Sequence, residues 1–274
     1  MKKVESEQEP KIKSVDEIES IPVEEQNIIF RPNEGPQTEF LAAPEREVLY
    51  GGSAGGGKSY AMLADPLRYM GHPSFSGLLL RHTTEELREL IFKSKELYPQ
   101  IWKGIKWSER KMQWEAPSGA RLWMSYLDRD DDVLRYQGLA FSWIGFDELT
   151  QWSTPYAWNY MRSRLRSTAQ DLPVYMRATT NPGGPGHQWV KKMFIDPAPY
   201  GKTFDATNIE TGKPLKYPDN HQRAGQALFQ RRFIPAKLFD NPYLSTQGDY
   251  EAMLLSLPEH QKKQLLEGDW GIAE

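Results

Sequence analysis

The sequence predicts an α/β fold built on a mostly parallel sheet. Three observations carry that reading. Short apolar runs bounded by turn residues alternate with helical patterns. One run leads straight into a glycine-rich stretch that opens a helix, and another ends in an acidic pair. With 274 residues the chain can bury one sizeable core and carry a small appendage.

Residues 1–30 are expected to be a flexible acidic arm, because they hold eight acids against four lysines and show little periodicity. The rest of the chain then carries one net positive charge, so any contact with a polyanion must come from local patches. Glu47 to Tyr50 and Gly77 to Arg81 read as buried strands of a parallel sheet. Thr83 is a plausible cap for a helix whose first turn holds Glu85 and Glu86 and whose apolar face is Leu87, Leu90, Ile91 and Leu97. Lys111 to Glu115, the turn Pro117-Ser118-Gly119 and Arg121 to Tyr126 predict an antiparallel hairpin inserted into this alternation. Trp107, Trp114 and Trp123 alternate there and are expected to pack rather than to stack on bases. Ser142 to Phe146 and Val174 to Thr180 add two strands, with a helix from Pro155 to Leu165 between them. Beyond residue 237, Tyr250 to Leu257 and Glu259 to Leu266 predict a small helical subdomain at the sheet's edge.

Composition excludes several chemistries. There is no cysteine, so no disulfide, thiol nucleophile or cysteine metal site, which suits a cytosolic protein. The five histidines show no ligand spacing. No run of eighteen apolar residues exists and the N-terminus lacks the apolar stretch of a signal peptide, so a soluble protein with no membrane partner is expected.

The stretch Gly52-Ser53-Ala54-Gly55-Gly56-Gly57-Lys58-Ser59 matches G-x-x-x-x-G-K-[ST] at every fixed position, between a predicted strand and a predicted helix. Such a loop cradles phosphates. Its backbone N–H groups turn inward, the helix N-terminus adds partial positive charge, Lys58 neutralises the β- and γ-phosphates and the Ser59 hydroxyl binds Mg²⁺. Tyr60 follows as a further nucleotide-side candidate, and Pro66 is expected to kink or shorten the helix. The apolar strand Phe141 to Phe146 ends in Asp147-Glu148, which places Asp147 to hold the metal and Glu148 to polarise an attacking water. An acidic pair after a strand is also a common helix start. Thr180 and Asn181 end another predicted strand and fall beside the same pocket if the sheet is parallel, where they could sense the γ-phosphate. An Asn-Pro turn is the alternative.

Taken in order, these pieces resemble the ATPase domain of the large terminase subunit of tailed bacteriophages. The resemblance runs from about Pro36 to Trp270. Besides the phosphate loop and Phe146-Asp147-Glu148, it includes Pro36-Gln37-Thr38-Glu39-Phe40, Leu80-Arg81-His82-Thr83, Arg135-Tyr136-Gln137-Gly138 and Thr179-Thr180-Asn181-Pro182. It continues through Gly186-His187-Gln188-Trp189, Arg232-Phe233-Ile234-Pro235-Ala236, Asp240-Asn241-Pro242-Tyr243-Leu244 and Gly268-Asp269-Trp270. The fold class it implies is a P-loop NTPase of the ASCE type, with helices flanking a mostly parallel central sheet, a hairpin insertion and a C-terminal helical subdomain.

The resemblance implies an ATP- and Mg²⁺-dependent motor that threads double-stranded DNA into a procapsid. It would act as a homo-oligomeric ring, a pentamer, on a portal protein, with a small terminase subunit as a further partner, in the host cytoplasm. Gln37 would lie on the adenine side, and the threonine-asparagine motif would couple hydrolysis to movement. Family members carry a nuclease domain after the Gly-Asp-Trp region, so this chain is expected to comprise a core over 31–237 and a lid or linker over 238–274, without nuclease activity. Many relatives hold an arginine inside the loop, where Ser53-Ala54-Gly55-Gly56 has none. Arg135 and Arg81 are therefore the candidates for a charge-stabilising arginine, with surface salt bridges as the alternative. Arg162, Arg164, Arg166, Lys191-Lys192 and Arg231-Arg232 are candidate phosphate contacts or solvated faces. A helicase-like or other DNA-directed ATPase, and a non-catalytic ATP-dependent assembly module, share parts of this pattern. Glu148 argues against the last.

Overall fold

A computed structural model describes residues 31–53, 55, 57–240 and 248–271. The expected arm over 1–30, the loop residues Ala54 and Gly56, and residues 241–244 of the C-terminal motif lie outside the described residues.

The described residues form a nine-stranded sheet in the order β3-β4-β5-β2-β6-β7-β1-β9-β8. Its strands are β1 Glu47–Gly52, β2 Ser76–Arg81, β3 Lys106–Ser108, β4 Gln113–Glu115, β5 Arg121–Tyr126, β6 Trp143–Phe146, β7 Tyr175–Thr180, β8 Thr203–Asp205 and β9 Gln230–Ala236. β5, β2, β6, β7, β1 and β9 run parallel, while β3 and β4 flank one end antiparallel and β8 the other. The helices are α1 Pro36–Ala42, α2 Lys58–Ala64, α3 Thr84–Ile101, α4 Tyr156–Arg162, α5 His187–Val190, α6 Gly248–Leu255 and α7 Glu259–Leu265.

The predicted antiparallel hairpin is present as β4 and β5, and because β5 also pairs with β2 in parallel register over its whole length, the hairpin and β3 extend the same sheet. One feature goes beyond the sequence reading. β9 is a sixth parallel strand beside β1, although it contains Pro235. The proline is tolerated because β8 covers only Gln230 to Arg232, which leaves the Pro235 half of β9 without a strand on that side.

Period-2 alternation sends the strand side chains to two faces. Leu49, Leu78, Leu80, Ile144, Phe146, Met176 and Ala178 pack on one face with Trp158 and Met161 of α4 and Trp189 and Val190 of α5. Leu79, Leu122, Met124, Trp143 and Tyr175 take the other face, against Met62 and Leu63 of α2 and Leu87 and Leu90 of α3. Val48 and Tyr50 share that second face with Phe40 of α1. The helices start where their caps dictate. At α3 the Thr83 hydroxyl accepts from Glu86 N–H (3.4 Å) and Glu86 Oε2 accepts from Thr83 N–H (3.0 Å), a capping box. α2 ends at Ala64 and Pro66 turns the chain into a tighter coil over Asp65–Tyr69, as proline requires.

Two buried carboxylates pin elements together. Asp65 accepts from Trp143 Nε1 and the Tyr175 hydroxyl, each at 2.8 Å, and pairs with Arg68 at 2.6 Å, tying α2's end to β6 and β7. Glu47, at the opposite end of β1 from the phosphate loop, pairs with Arg231 (2.7 Å) and Arg162. Burial works to raise the Glu47 pKa, but the two guanidinium groups outweigh it and hold the carboxyl below its ordinary value. Arg162 and Arg231 are thus core ion-pair partners, not free phosphate contacts. Lys191 and Arg232 are likewise engaged, with Asp196 and Glu39, each at 2.8 Å.

Candidate functional site

The C-terminal ends of β1, β7, β6 and β2 lie side by side, the edge where open parallel sheets bind ligands. β1 delivers the glycine-rich loop. A Cβ on Gly52 would sit 1.9 Å from the Ala236 carbonyl oxygen, so only glycine lets the loop leave β1 beside β9. Ser53 N–H then donates to that carbonyl at 2.9 Å. Gln37 closes the loop's far end. Its Nε2 donates to Gly57 O at 3.0 Å while its Oε1 accepts from Asn33 N–H at 2.6 Å. The structure therefore brings Gln37 to the phosphate loop as a buttress, with both ends of its amide committed.

Lys58 opens α2 and is only 6% exposed, its ammonium donating to Ser53 O at 2.6 Å. Burial pushes its pKa down, and the charges of Glu148 and Asp147 work the other way. Ser59 Oγ lies 3.4 Å from Asp147 Oδ2. Asp147 is fully buried at the end of β6. Its Oδ1 accepts from the Thr179 hydroxyl, and its Oδ2 accepts from Arg81 Nε and pairs with Arg81 Nη2, each at 2.8 Å. Glu148 follows in left-handed backbone geometry, φ 59° and ψ 55°, with its N–H donating to the same Thr179 hydroxyl at 3.4 Å. That turn carries the Glu148 side chain to where it feels Lys58 and Arg81. Burial first, and the Asp147 charge second, raise its pKa.

The threonine pair is where the structure corrects the sequence reading. Thr180 turns away from Asp147, its hydroxyl 2.7 Å from that of Thr150, and Thr179 touches both acidic residues. β6 and β7 are in register at Phe146 and Ala178, so the next pair, Asp147 and Thr179, shares one face while Thr180 belongs to the other. Period-2 counting from that register is the signal that finds Thr179. The Asn181 carbonyl accepts from the Thr180 and Thr150 hydroxyls at 3.1 and 3.3 Å. Tyr60 is 41% exposed on α2, with the Lys93 ammonium 6.0 Å from its ring centre. Arg135 stands outside the cluster. Its side chain is 46% exposed, donates to Tyr126 O at 2.8 Å and faces Asp132 at 3.6 Å, beyond the end of β5.

The Gly-Asp-Trp segment closes over this edge. Gly268 packs against the backbone of Gly52 and Ser53, and Trp270 stacks on His187, ring centres 5.2 Å apart and 20° between planes. His187 Nδ1 accepts from Gly183 N–H at 2.8 Å, so Nε2 carries the proton and donates to Trp270 O at 3.2 Å.

Ser59 and Asp147 offer hard oxygen donors beside a phosphate-type loop, the donor set that suits Mg²⁺, which takes one or two carboxylates plus substrate phosphates rather than a full protein cage. Among the described residues no group of three or more His, Cys, Asp or Glu could hold a metal alone, and no helix is long and apolar enough to cross a membrane.

No curated protein sequence matches the chain. Among solved structures it is similar to the large terminase of a thermophilic bacteriophage in complex with ADP, with 17% identity and a TM-score of 0.59 over 88% of this chain and 54% of that one. It is also similar to the large terminase ATPase domain of Thermus phage P74-26, with 13% identity and a TM-score of 0.54 over 88% and 94% of the two chains. At these identities the likeness establishes the fold, and the chain spans about half the length of the ADP-bound terminase. A family model described as the phage terminase large subunit matches residues 45–222, well over half of the sequence, so the chain belongs to the phage terminase large subunit family.

Proposed function

We propose that this chain binds and hydrolyses ATP and is the motor part of a viral packaging enzyme, acting on double-stranded DNA with a portal protein, a small terminase subunit and further copies of itself in a ring of five, in the host cytoplasm. One observation carries the enzymatic reading: Lys58, Ser59, Asp147 and Glu148 converge at the ends of two parallel strands from positions 88 and more residues apart. Membership of the terminase family supports the choice of DNA as the track.

The loop's N–H groups and the Lys58 ammonium bind and orient the β- and γ-phosphates. Ser59 and Asp147 would hold Mg²⁺, whose charge would help neutralise the phosphates. Glu148 orients the attacking water and accepts its proton, a role that suits a carboxylate whose pKa is raised by burial from its ordinary value. Thr179 positions Asp147 and Glu148 together through one hydroxyl. Tyr60, Thr180 and Asn181 border the site without entering it. Arg135, half-exposed beyond the end of β5, would in this reading serve a neighbouring copy rather than its own phosphates.

Equilibrium nucleotide binding and single-turnover hydrolysis test this assignment. Lys58→Ala should lose affinity, whereas Glu148→Gln should bind like wild type and lose turnover. Equal loss of binding in both would refute the roles. Under assembling conditions, mixing Arg135→Ala with Glu148→Gln should restore turnover that neither has alone. A mixture as inactive as its components removes Arg135 from a role between copies.

A further inference from the structure

We propose that Arg81 is an exchangeable counter-ion of Asp147, displaced when Mg²⁺ and nucleotide arrive, so that loading the site releases a guanidinium beside it. The inference rests on the nucleotide-binding reading above. Both oxygens of Asp147 are committed: Oδ1 to the Thr179 hydroxyl, Oδ2 to two guanidinium nitrogens at 2.8 Å, with Ser59 Oγ at 3.4 Å from the same oxygen. The oxygen that would share a cation with Ser59 is therefore the one Arg81 occupies. Arginine cannot lose its charge to make room, and two cations on one buried oxygen repel strongly.

The geometry makes exchange easier than coexistence. Arg81 is the last residue of β2, its backbone fixed by pairing with β5, and its side chain is 9% exposed. Any exchange must therefore be made by the side chain alone. Two other acids already act on it, Glu148 next to Asp147 and Glu86 in the first turn of α3. Glu86 has a lone pair to spare, since its Oε2 is engaged by Thr83 N–H alone among the described residues. A displaced guanidinium therefore has carboxylates to meet within the same edge, and it stays where developing charge on a γ-phosphate could be stabilised. Arg81 in this account is a positioning residue for Asp147 before loading, and becomes available to the phosphates only afterwards.

The test is the Mg²⁺ dependence of binding, independent of turnover. The full chain is titrated with N-methylanthraniloyl-ADP at stepped Mg²⁺ concentrations, for wild type, Arg81→Gln and Arg81→Lys, each checked for a cooperative melt. If Arg81 competes with the metal, Arg81→Gln should lower the Mg²⁺ midpoint roughly tenfold or more, the scale of charge-assisted hydrogen bonds removed from one acceptor. Arg81→Lys, which offers a single ammonium instead of a fork, should fall between the two. A midpoint that is unchanged or raised in the folded variants overturns the proposal, because a permanent strut would leave Asp147 misplaced when removed. Failure of both variants to fold would equally mark Arg81 as a strut and overturn it. Absence of Mg²⁺-dependent binding in wild type would instead remove the nucleotide-binding reading itself, and the exchange with it.

Discussion

Replacing Gly268 by alanine measures how hard the C-terminal segment bears on the phosphate loop. Gly268 has φ +68°, and a Cβ there would lie 3.0 Å from Gly52 Cα and Ser53 N and 3.2 Å from Gly52 C. Left-handed backbone costs a residue with a Cβ about 1–2 kcal/mol. The obstructing atoms are backbone, not the end of a pliable side chain, so overpacking adds about 1–3 kcal/mol. Together Gly268→Ala should lose about 2–5 kcal/mol of unfolding free energy in urea. Gly138 is the control, because it has φ +83° with nothing within 4 Å of its added Cβ. Gly138→Ala should therefore lose only the conformational part, about 1–2 kcal/mol. The two variants also separate on function. Folded Gly268→Ala must push the start of the loop aside and should bind ADP more weakly, whereas Gly138→Ala should bind it like wild type. If the two alanines cost the same and ADP affinity is unmoved in both, the contact bears nothing and the reasoning fails.

Two further outcomes follow from buried groups away from the loop. Glu47→Gln leaves the Arg231 guanidinium buried beside a neutral amide and should cost about 3–5 kcal/mol in thermal or urea unfolding, whereas adding Arg231→Met should recover much of that loss. A cost under about 1 kcal/mol would show the pair to be energetically idle. His187 should give the fold a dependence on mild acid. Burial lowers its pKa from 6.5, partly opposed by the Trp270 carbonyl, so the folded protein holds it neutral while the unfolded chain takes up a proton. Stability therefore rises with pH between the folded value and about 6.5, and is lost as pH falls through that window, with a slope of at most about 1.4 kcal/mol per pH unit. Melting temperatures from pH 7.5 to 5 should show a component that vanishes in His187→Asn. An unchanged profile would assign the acid sensitivity elsewhere.

How much of this was legible in the sequence depended on whether the pattern was local. The glycine-rich loop, the Thr83 capping box and the strand ending in Asp147-Glu148 are written in consecutive residues, and each fell where its spacing put it. β9 was not, because Arg231-Arg232 and Pro235 mask a buried strand unless the neighbours are known. Arg231 is buried only because Glu47 waits for it on β1. The same holds for the site. Thr179 and Thr180 are equivalent in the sequence, and only the pairing of Phe146 with Ala178 decides which hydroxyl meets Asp147. Arg81 was visible as a candidate cation, but its commitment to Asp147 depends on β2 lying beside β6, a choice of strand order that no local pattern records.

The strand order also explains why a change at the phosphates would be felt at the far end of the sequence. Gly268 rests on Gly52 and Ser53, the first residues after β1. Two residues on, Trp270 stacks on His187, whose ring accepts from Gly183 in the turn after β7, and meets the Phe233 ring of β9 edge-on at 6.0 Å. A three-residue segment thus touches the loop after β1 and the Phe233 ring of β9, and reaches the turn after β7 through the His187 ring, at three strands adjacent in the sheet. β7 carries Thr179, the residue that bridges the two acids, so the segment is linked to both halves of the site, directly at Gly52 and Ser53 and through the His187 ring on the β7 side. A shift of Ser53 on phosphate binding and a shift of Asp147 on losing Arg81 would reach Gly268 and His187 by separate routes and meet at Trp270. Because Trp270 is almost fully buried, the two inputs cannot be absorbed by a loose side chain. Its indole should therefore report them directly: with ADP and Mg²⁺ present, tryptophan fluorescence of wild type should change by more than that of Trp270→Phe, and an identical change in both would place the coupling outside this segment.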